Sequence, residues 1–271
     1  MLLDGKTAVV TGCGGGLGLA IARTLASHGA RIVAMDRSPE RANEAARGLL
    51  ASTERQAISI AVDVSSAAAV AEAFAKLDRH EARIDILVNC AGIREVSRIY
   101  DLDPVEWERV IAVNLSGPFY VTREAALRMR KTGGGSIVNV ASVAGIMGLT
   151  HRPAYTASKH GLVGLTRNLA RDLAGDGIRV NAVAPGTIRT PMTEGFFDNE
   201  SFRQGLREVV PLGDKGTSED VANAVLFLAS PLAGFVNGVV LPVDGGWSAE
   251  KGYTLGSGDT GYTSAAAKTS S

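Results

Sequence analysis

Thr7-Ala-Val-Val-Thr11-Gly-Cys-Gly-Gly-Gly-Leu-Gly18 decides the reading of this chain. A short apolar run rich in valine passes into a loop with five glycines in residues 12–18. An alanine- and leucine-rich helical pattern then starts at Leu17. Glycine suits a backbone that must turn sharply and lie close to a pyrophosphate. The helix that follows offers N–H groups without intrahelical partners and the positive end of its dipole. Gly12, Gly16, Leu17 and Gly18 are therefore candidate phosphate contacts. A strand, a glycine loop and a helix opening a βαβ unit together point to dinucleotide binding far more strongly than the glycines alone.

The same alternation runs onward. Apolar runs at Arg31–Asp36, Ala57–Asp63, Ile86–Asn89, Ser136–Val140, Arg179–Val183 and Val239–Val243 are too hydrophobic for strands with one wet face. Helical patterns between them are clearest at Leu17–Ser27, Ala67–Leu77, Pro104–Met129, Tyr155–Leu173 and Ser218–Leu228. This order predicts an α/β fold, a Rossmann-type doubly wound parallel sheet of about seven strands with helices on both faces. No shift of composition divides the chain, so residues 1–247 read as one domain. Residues 187–211 read as a lid before the next helix. Residues 248–271 are rich in Gly, Ser and Thr and read as a tail.

Composition bounds the function. The chain has 271 residues, 45% of them hydrophobic, with 28 basic and 28 acidic side chains. A balanced charge gives no footing for nucleic acid or an acidic membrane. The two cysteines, Cys13 and Cys90, make neither a disulfide framework nor a metal cluster. No signal-peptide pattern opens the chain and no apolar run nears the ~20 residues of a membrane span. The expectation is a cytoplasmic protein with a small-molecule substrate.

Asp36 closes the second strand about 20 residues after the loop, where a carboxylate binds the ribose hydroxyls of NAD and repels the extra phosphate of NADP. Arg37 beside it works the other way. Asp63, with its neighbour Val64, is placed to meet the adenine edge. Ala91 and Gly92, in Asn89-Cys-Ala-Gly92, allow backbone to lie against the adenosine ribose, and Asn89 reads as a tie between strands as much as a cofactor contact. Ser142 closes the fifth strand. Tyr155 and Lys159, at i and i+4, share one helix face, and a cation there favours the phenolate. Asn114 lies inside an apolar helix and needs polar partners; a water linking it to Lys159 would be one.

Over residues 3–247 these motifs resemble the short-chain dehydrogenase/reductase family: Thr11-Gly-x-x-x-Gly-x-Gly18, Asp63, Asn89-Cys-Ala-Gly92, Asn114, Ser142, Tyr155-x-x-x-Lys159, Pro185-Gly186-Thr187 and Val243-Asp-Gly-Gly246. Cys90 departs from the asparagine or alanine usual there. The resemblance implies Tyr155 as general acid and base, Lys159 tuning it and holding the nicotinamide ribose, Ser142 bonding the substrate oxygen, and Asn114 holding a relay water. It implies nicotinamide contacts from Pro185, Gly186, Thr187 and Ile188, hydride transfer without a metal, and a homotetramer. The expected activity is NAD-dependent interconversion of a secondary alcohol and a ketone. An NADP-dependent reductase of 3-oxoacyl thioesters and a non-catalytic cofactor-binding sensor are the alternatives. Arg94, Ile146, Met147, His151, Met192 and Phe196 are candidate substrate-pocket residues. Each has a rival reading as packing or solvated surface.

Overall fold

The strands are β1 (Thr7–Thr11), β2 (Arg31–Asp36), β3 (Ala57–Ala61), β4 (Ile86–Asn89), β5 (Gly135–Val140), β6 (Ile178–Pro185) and β7 (Val240–Val243). In this computed structural model, which describes residues 1–53, 57–80, 83–190, 193–214 and 216–249, they form one seven-stranded sheet. Its order is β3-β2-β1-β4-β5-β6-β7 and every pairing is parallel. The helices are α1 (Gly16–Ser27), α2 (Pro39–Thr53), α3 (Ala67–Asp78), α4 (Pro104–Ile111), α5 (Gly117–Met129), α6 (Pro153–Asp172), α7 (Glu194–Phe197), α8 (Glu200–Val209) and α9 (Ser218–Ala229).

Successive strand residues point to opposite faces, and both faces are covered. Val10, Ile32 and Val138 pack against Ile21 and Leu25 of α1 and Val221 and Val225 of α9. Val9, Val33 and Leu87 pack on the other side against Val70 and Phe74 of α3 and Val121 of α5. Double coverage is why these strands read as unbroken apolar runs. β7 ends the sheet and is only half-buried.

Three departures from the expected elements matter. β3 ends at Ala61, two residues early, although the Val62 N–H still donates to the Asp36 carbonyl at 2.8 Å. Asp63 therefore lies beyond the strand and is exposed. The helix expected at Pro104–Met129 is broken by a π-helical turn at Ala112–Ser116. Pro118 has no N–H to give the Asn114 carbonyl four residues earlier, so regular α-helical bonding fails there and the turn widens. The lid is helical: α7 and α8 close Phe197, Leu206 and Val210 into a small core of their own, with Phe202 and Trp247 against it. From residue 250 onward the expected tail lies outside the described residues.

Candidate active site

Connections leave β1 and β4 in opposite directions, and ligands of open parallel sheets bind where such a crevice forms at the carboxyl ends. A cleft of about 790 Å³ opens at that point, within the usual range for small-molecule sites. The glycine loop forms one wall. Gly12 has φ +67°, which disfavours a side chain. A Cβ on Gly18 would overlap the Gly12 carbonyl oxygen, so the loop closes this tightly only with glycine. Thr11 fastens the opposite wall: its Oγ1 accepts from the Cys90 and Ala91 N–H groups at 3.0 and 3.1 Å. No side chain caps α1 and its first turn holds no acidic residue. Gly15 would meet no atom within 4 Å of an added Cβ. The uncapped helix end thus faces open space lined by glycine, a cradle that fits a pyrophosphate.

Asp36 lies at the far end of the cleft. Its carboxylate is fixed by the Gly14 N–H on Oδ2 and the Ser38 N–H on Oδ1, both at 3.0 Å. The cation that shares this wall is Arg41, with Glu44 one turn on, both from α2. Arg37 is exposed and does not line the cleft. Asp63 does not line it either; the Ser65 hydroxyl and N–H hold its carboxyl below the usual range, helped by the charge of Arg37. Val64 packs against Gly117. The Asn89 side chain is buried under the cleft and donates to Thr122 Oγ1 and Asn139 Oδ1 at 2.9 and 2.8 Å. It ties β4 to β5 and α5, which is the structural half of its double reading.

Ser142, Tyr155 and Lys159 line the same cleft, together with Val140, Ala141, Pro185, Gly186 and Ile188. Thr187 faces a neighbouring cavity under α8. The Ser142 hydroxyl, which accepts from the Ala144 N–H at 3.1 Å, acts on the Tyr155 phenol. Lys159 Nζ donates to the Val140 carbonyl at 2.8 Å and stands 5.6 Å from the centre of the Tyr155 ring. Burial brings the Lys159 ammonium down to about 8. Burial also raises the Tyr155 phenol; the Ser142 hydroxyl and then the charges of Arg152 and Arg94 oppose that rise. Spacing alone predicted that Lys159 would be the tuning cation, whereas here the opposing charges come from two arginines. Cys90 is held as a thiol, pushed up to about 12 by burial, so it presents no anion to Lys159.

Asn114 is fully buried. Its Nδ2 donates to the Ile93 carbonyl at 2.8 Å and to Ser158 Oγ at 3.1 Å, and its Oδ1 accepts from the Ile93 N–H at 2.9 Å. The side chain is thus committed to the 90–93 loop and α6. The backbone carbonyl, robbed of a donor by Pro118, is the Asn114 atom that lacks its α-helical partner.

One buried acid has no precedent in the sequence reading. Glu95 is 5% exposed, and its Oε1 accepts from the N–H groups of Ala154 and Tyr155 at 2.8 and 3.0 Å. It caps α6 from a separate loop and so fixes where Tyr155 starts. Glu95→Ala leaves two helix N–H groups without acceptors, a loss of about 1–3 kcal/mol. The expected result is a melting temperature lower by roughly 3–10 °C, with Glu95→Gln losing less. An unchanged melt for the alanine variant would count against this bracing.

The remaining expected pocket residues divide. Arg94 and Phe196 come together, the guanidinium carbon 4.5 Å from the ring centre. Ile146 and His151 are exposed and Met147 is half-buried, and none lines the cleft. Met192 lies outside the described residues. The cleft also takes Ile93, Thr190 and Thr193, which no motif had marked.

A sequence profile described as enoyl-(acyl carrier protein) reductase matches residues 12–248. The chain is similar to the 2-dehydro-3-deoxy-D-gluconate 5-dehydrogenase of Bacillus subtilis (strain 168), at 39% identity over 245 residues, 90% of this chain and 95% of that protein. It is 40% identical over 244 residues to a 3-oxoacyl-(acyl-carrier-protein) reductase of Aquifex aeolicus (strain VF5), covering 90% of this chain and 98% of the relative. A solved gluconate 5-dehydrogenase from Burkholderia cenocepacia J2315, in complex with NADP and tartrate, superposes with a TM-score of 0.88 at 36% identity, covering 92% and 97% of the two chains. With its sheet order, glycine loop and Ser142–Tyr155–Lys159 cluster in the positions described, the chain belongs to the short-chain dehydrogenase/reductase family.

Proposed function

We propose that the protein interconverts a secondary alcohol and a ketone, with NAD(H) along the cleft and Tyr155 as the proton donor and acceptor. The observation that carries this reading is the gathering of Ser142, Tyr155 and Lys159 on the wall of a glycine-lined cleft. A bound nicotinamide supplies or takes up the hydride. Gly12, Gly16, Leu17 and Gly18 hold the pyrophosphate, Ala91 and Gly92 support the adenosine ribose, and Asp36 takes the ribose hydroxyls. Pro185, Gly186 and Ile188 flank the nicotinamide end.

In the oxidising direction the Tyr155 phenolate accepts the substrate hydroxyl proton, and in the reducing direction the phenol returns it. Ser142 donates to the substrate oxygen and steadies the charge that gathers there. Lys159, held by the Val140 carbonyl, keeps a positive charge beneath the reacting groups at neutral pH. A water on the Asn114 backbone carbonyl, which has no α-helical donor because of Pro118, would carry the proton away past Lys159, with the Asn114 side chain positioning the loop and not holding the water.

A panel of secondary alcohols, diols and hydroxy acids with NAD, followed at the NADH absorbance band, tests this. The pH profile carries the sign. Oxidation needs the phenolate, and burial raises the phenol, so kcat/KM for oxidation climbs about tenfold per pH unit below the apparent value of Tyr155. Reduction needs the phenol and falls as pH rises through the same range. A flat oxidation profile would rule out Tyr155 as the base.

A second reading, an NADP-dependent reductase, has one observation in its favour: Arg41 lines the adenosine end beside Asp36. Against it, Asp36 and Glu44 leave that end with one more negative than positive side chain. Exposed Trp107 and Phe119 on α4 and α5, and Leu232 and Phe235 ahead of β7, support self-association through those two regions.

A further inference from the structure

Building on the oxidoreductase reading above, we infer that Glu95 is a positioning residue for the proton transfer. Its carboxylate ties the reacting helix to the wall of the cleft, and turnover depends on that tie although Glu95 does not itself line the cleft.

Gly92 and Ile93 line the cleft, and Glu95 stands two residues after Ile93. Its Oε1 accepts from the Ala154 and Tyr155 N–H groups at 2.8 and 3.0 Å, and its Oε2 accepts from the same Tyr155 N–H at 3.0 Å. The Tyr155 carbonyl is referred to the same segment by a second route. Ser158 Oγ donates to it at 2.7 Å and accepts from Asn114 Nδ2 at 3.1 Å. Asn114 in turn holds both the N–H and the carbonyl of Ile93. Two outer bonds close the seam between the segments: Arg152 Nη1 donates to the Glu95 carbonyl at 2.8 Å, and the Ser97 N–H to the His151 carbonyl at 3.0 Å.

Helix capping alone does not call for this arrangement. The helices α3, α4, α8 and α9 are each capped by the residue directly before them, Ser66, Asp103, Asn199 and Thr217. Arg152 stands in that place before α6 and gives no side-chain cap. A carboxylate 5% exposed takes its place from a distant loop. Burying that charge is costly unless its oxygens are bonded, and a local serine or aspartate would satisfy such N–H groups more simply. What the distant cap adds is position. Lys159 bonds the Val140 carbonyl at 2.8 Å and so fixes α6 to β5 one turn after Tyr155. Glu95 fixes it to the cleft wall at Tyr155 itself. Proton transfer needs donor and acceptor within hydrogen-bond reach, and a displacement of about 1 Å can cost about 100-fold in rate.

The test compares Glu95→Ala, Glu95→Gln and Glu95→Asp with Ser66→Ala, which removes the cap of α3. All are made in the full chain. D-glucitol, 2-butanol and 3-hydroxybutyrate are tried with NAD, and the fastest is carried through. Rates are expressed per NADH-binding site, counted by titration, so that unfolded protein does not enter them. Glu95→Ala should lower kcat per site about 10- to 100-fold, with the NADH dissociation constant and the KM for NAD unchanged. Glu95→Gln keeps an oxygen for the two N–H groups and should recover part of the loss. Ser66→Ala should keep its kcat per site. A loss below about threefold in Glu95→Ala overturns the assignment, as does an equal loss in Ser66→Ala or a matching loss of NADH affinity. If the alanine variant does not fold, Glu95→Asp, whose arm is one methylene shorter, decides by the same threefold mark. Tyr155→Phe measured alongside separates the two failures. Retained turnover there defeats the mechanism itself, whereas lost turnover there with none lost in Glu95→Ala defeats the positioning role alone.

Discussion

Tyr155→Phe should lose turnover in both directions by about 10²- to 10⁴-fold, the usual worth of a positioned acid or base, while NADH binds within a few-fold of the unaltered protein. The change removes one oxygen and little else. Lys159 keeps its bond to the Val140 carbonyl at 2.8 Å, and Ser142 Oγ keeps the Ala144 N–H at 3.1 Å. Glu95 holds the start of α6 through backbone N–H groups, so the helix stays in place. The glycine loop and Asp36 lie on the other wall and are untouched. Separate kcat and NADH-titration measurements therefore split chemistry from binding. Turnover within tenfold of the unaltered protein would remove Tyr155 from the mechanism.

NAD should be preferred over NADP by roughly 30- to 150-fold in kcat/KM. The Asp36 carboxylate cannot swing away readily, because the Gly14 and Ser38 N–H groups hold both of its oxygens. A 2′-phosphate beside it meets a fixed negative charge, worth about 2–3 kcal/mol at the effective dielectric of a half-exposed site, with tenfold for each 1.4 kcal/mol. Arg41 works against this and Glu44 with it. Asp36→Asn keeps an acceptor for the backbone and removes the charge, so the preference should fall towards parity as Arg41 gains the upper hand. Steady-state kinetics with both cofactors decide the matter. A preference for NADP in the unaltered protein would overturn the assignment, and the relative solved with NADP makes that comparison worth running first.

The parts of the fold legible in the sequence are those where burial forces composition. β1, β2 and β4 stand where their Val and Ile runs begin and end, because both faces are covered and polar residues are excluded. α2 was the helix left out: its arginines and glutamates leave only a narrow apolar stripe of Ala42, Ala45 and Leu49. That omission hid Arg41, which lies on the cleft only because α2 starts three residues past Asp36. The π-turn was hidden for another reason. Residues 104–129 carry an ordinary helical pattern, and Pro118 alone signals that the Asn114 carbonyl lacks its α-helical donor.

Within the site, short-range motifs were readable and long-range ones were not. Tyr155 and Lys159 share a helix, so their meeting follows from spacing. Glu95 caps a helix whose first residue is 58 positions away, and neither stretch contains a hint of the other. Arg94 was visible as a cation near the cleft, but Phe196 reaches it only through the folded lid. The polar ties beneath the site, Asn89 to Asn139 and Asn114 to Ser158, follow the same rule: the residue type announced a need for partners, and only the fold supplied them.

The most direct test of direct hydride transfer at a carbinol carbon uses a substrate from the panel with deuterium on that carbon. Oxidation with NAD should yield reduced cofactor carrying one deuterium per turnover, read by mass spectrometry of the NADH. Reduced cofactor without the label, or product formed with no reduction of NAD, would contradict it.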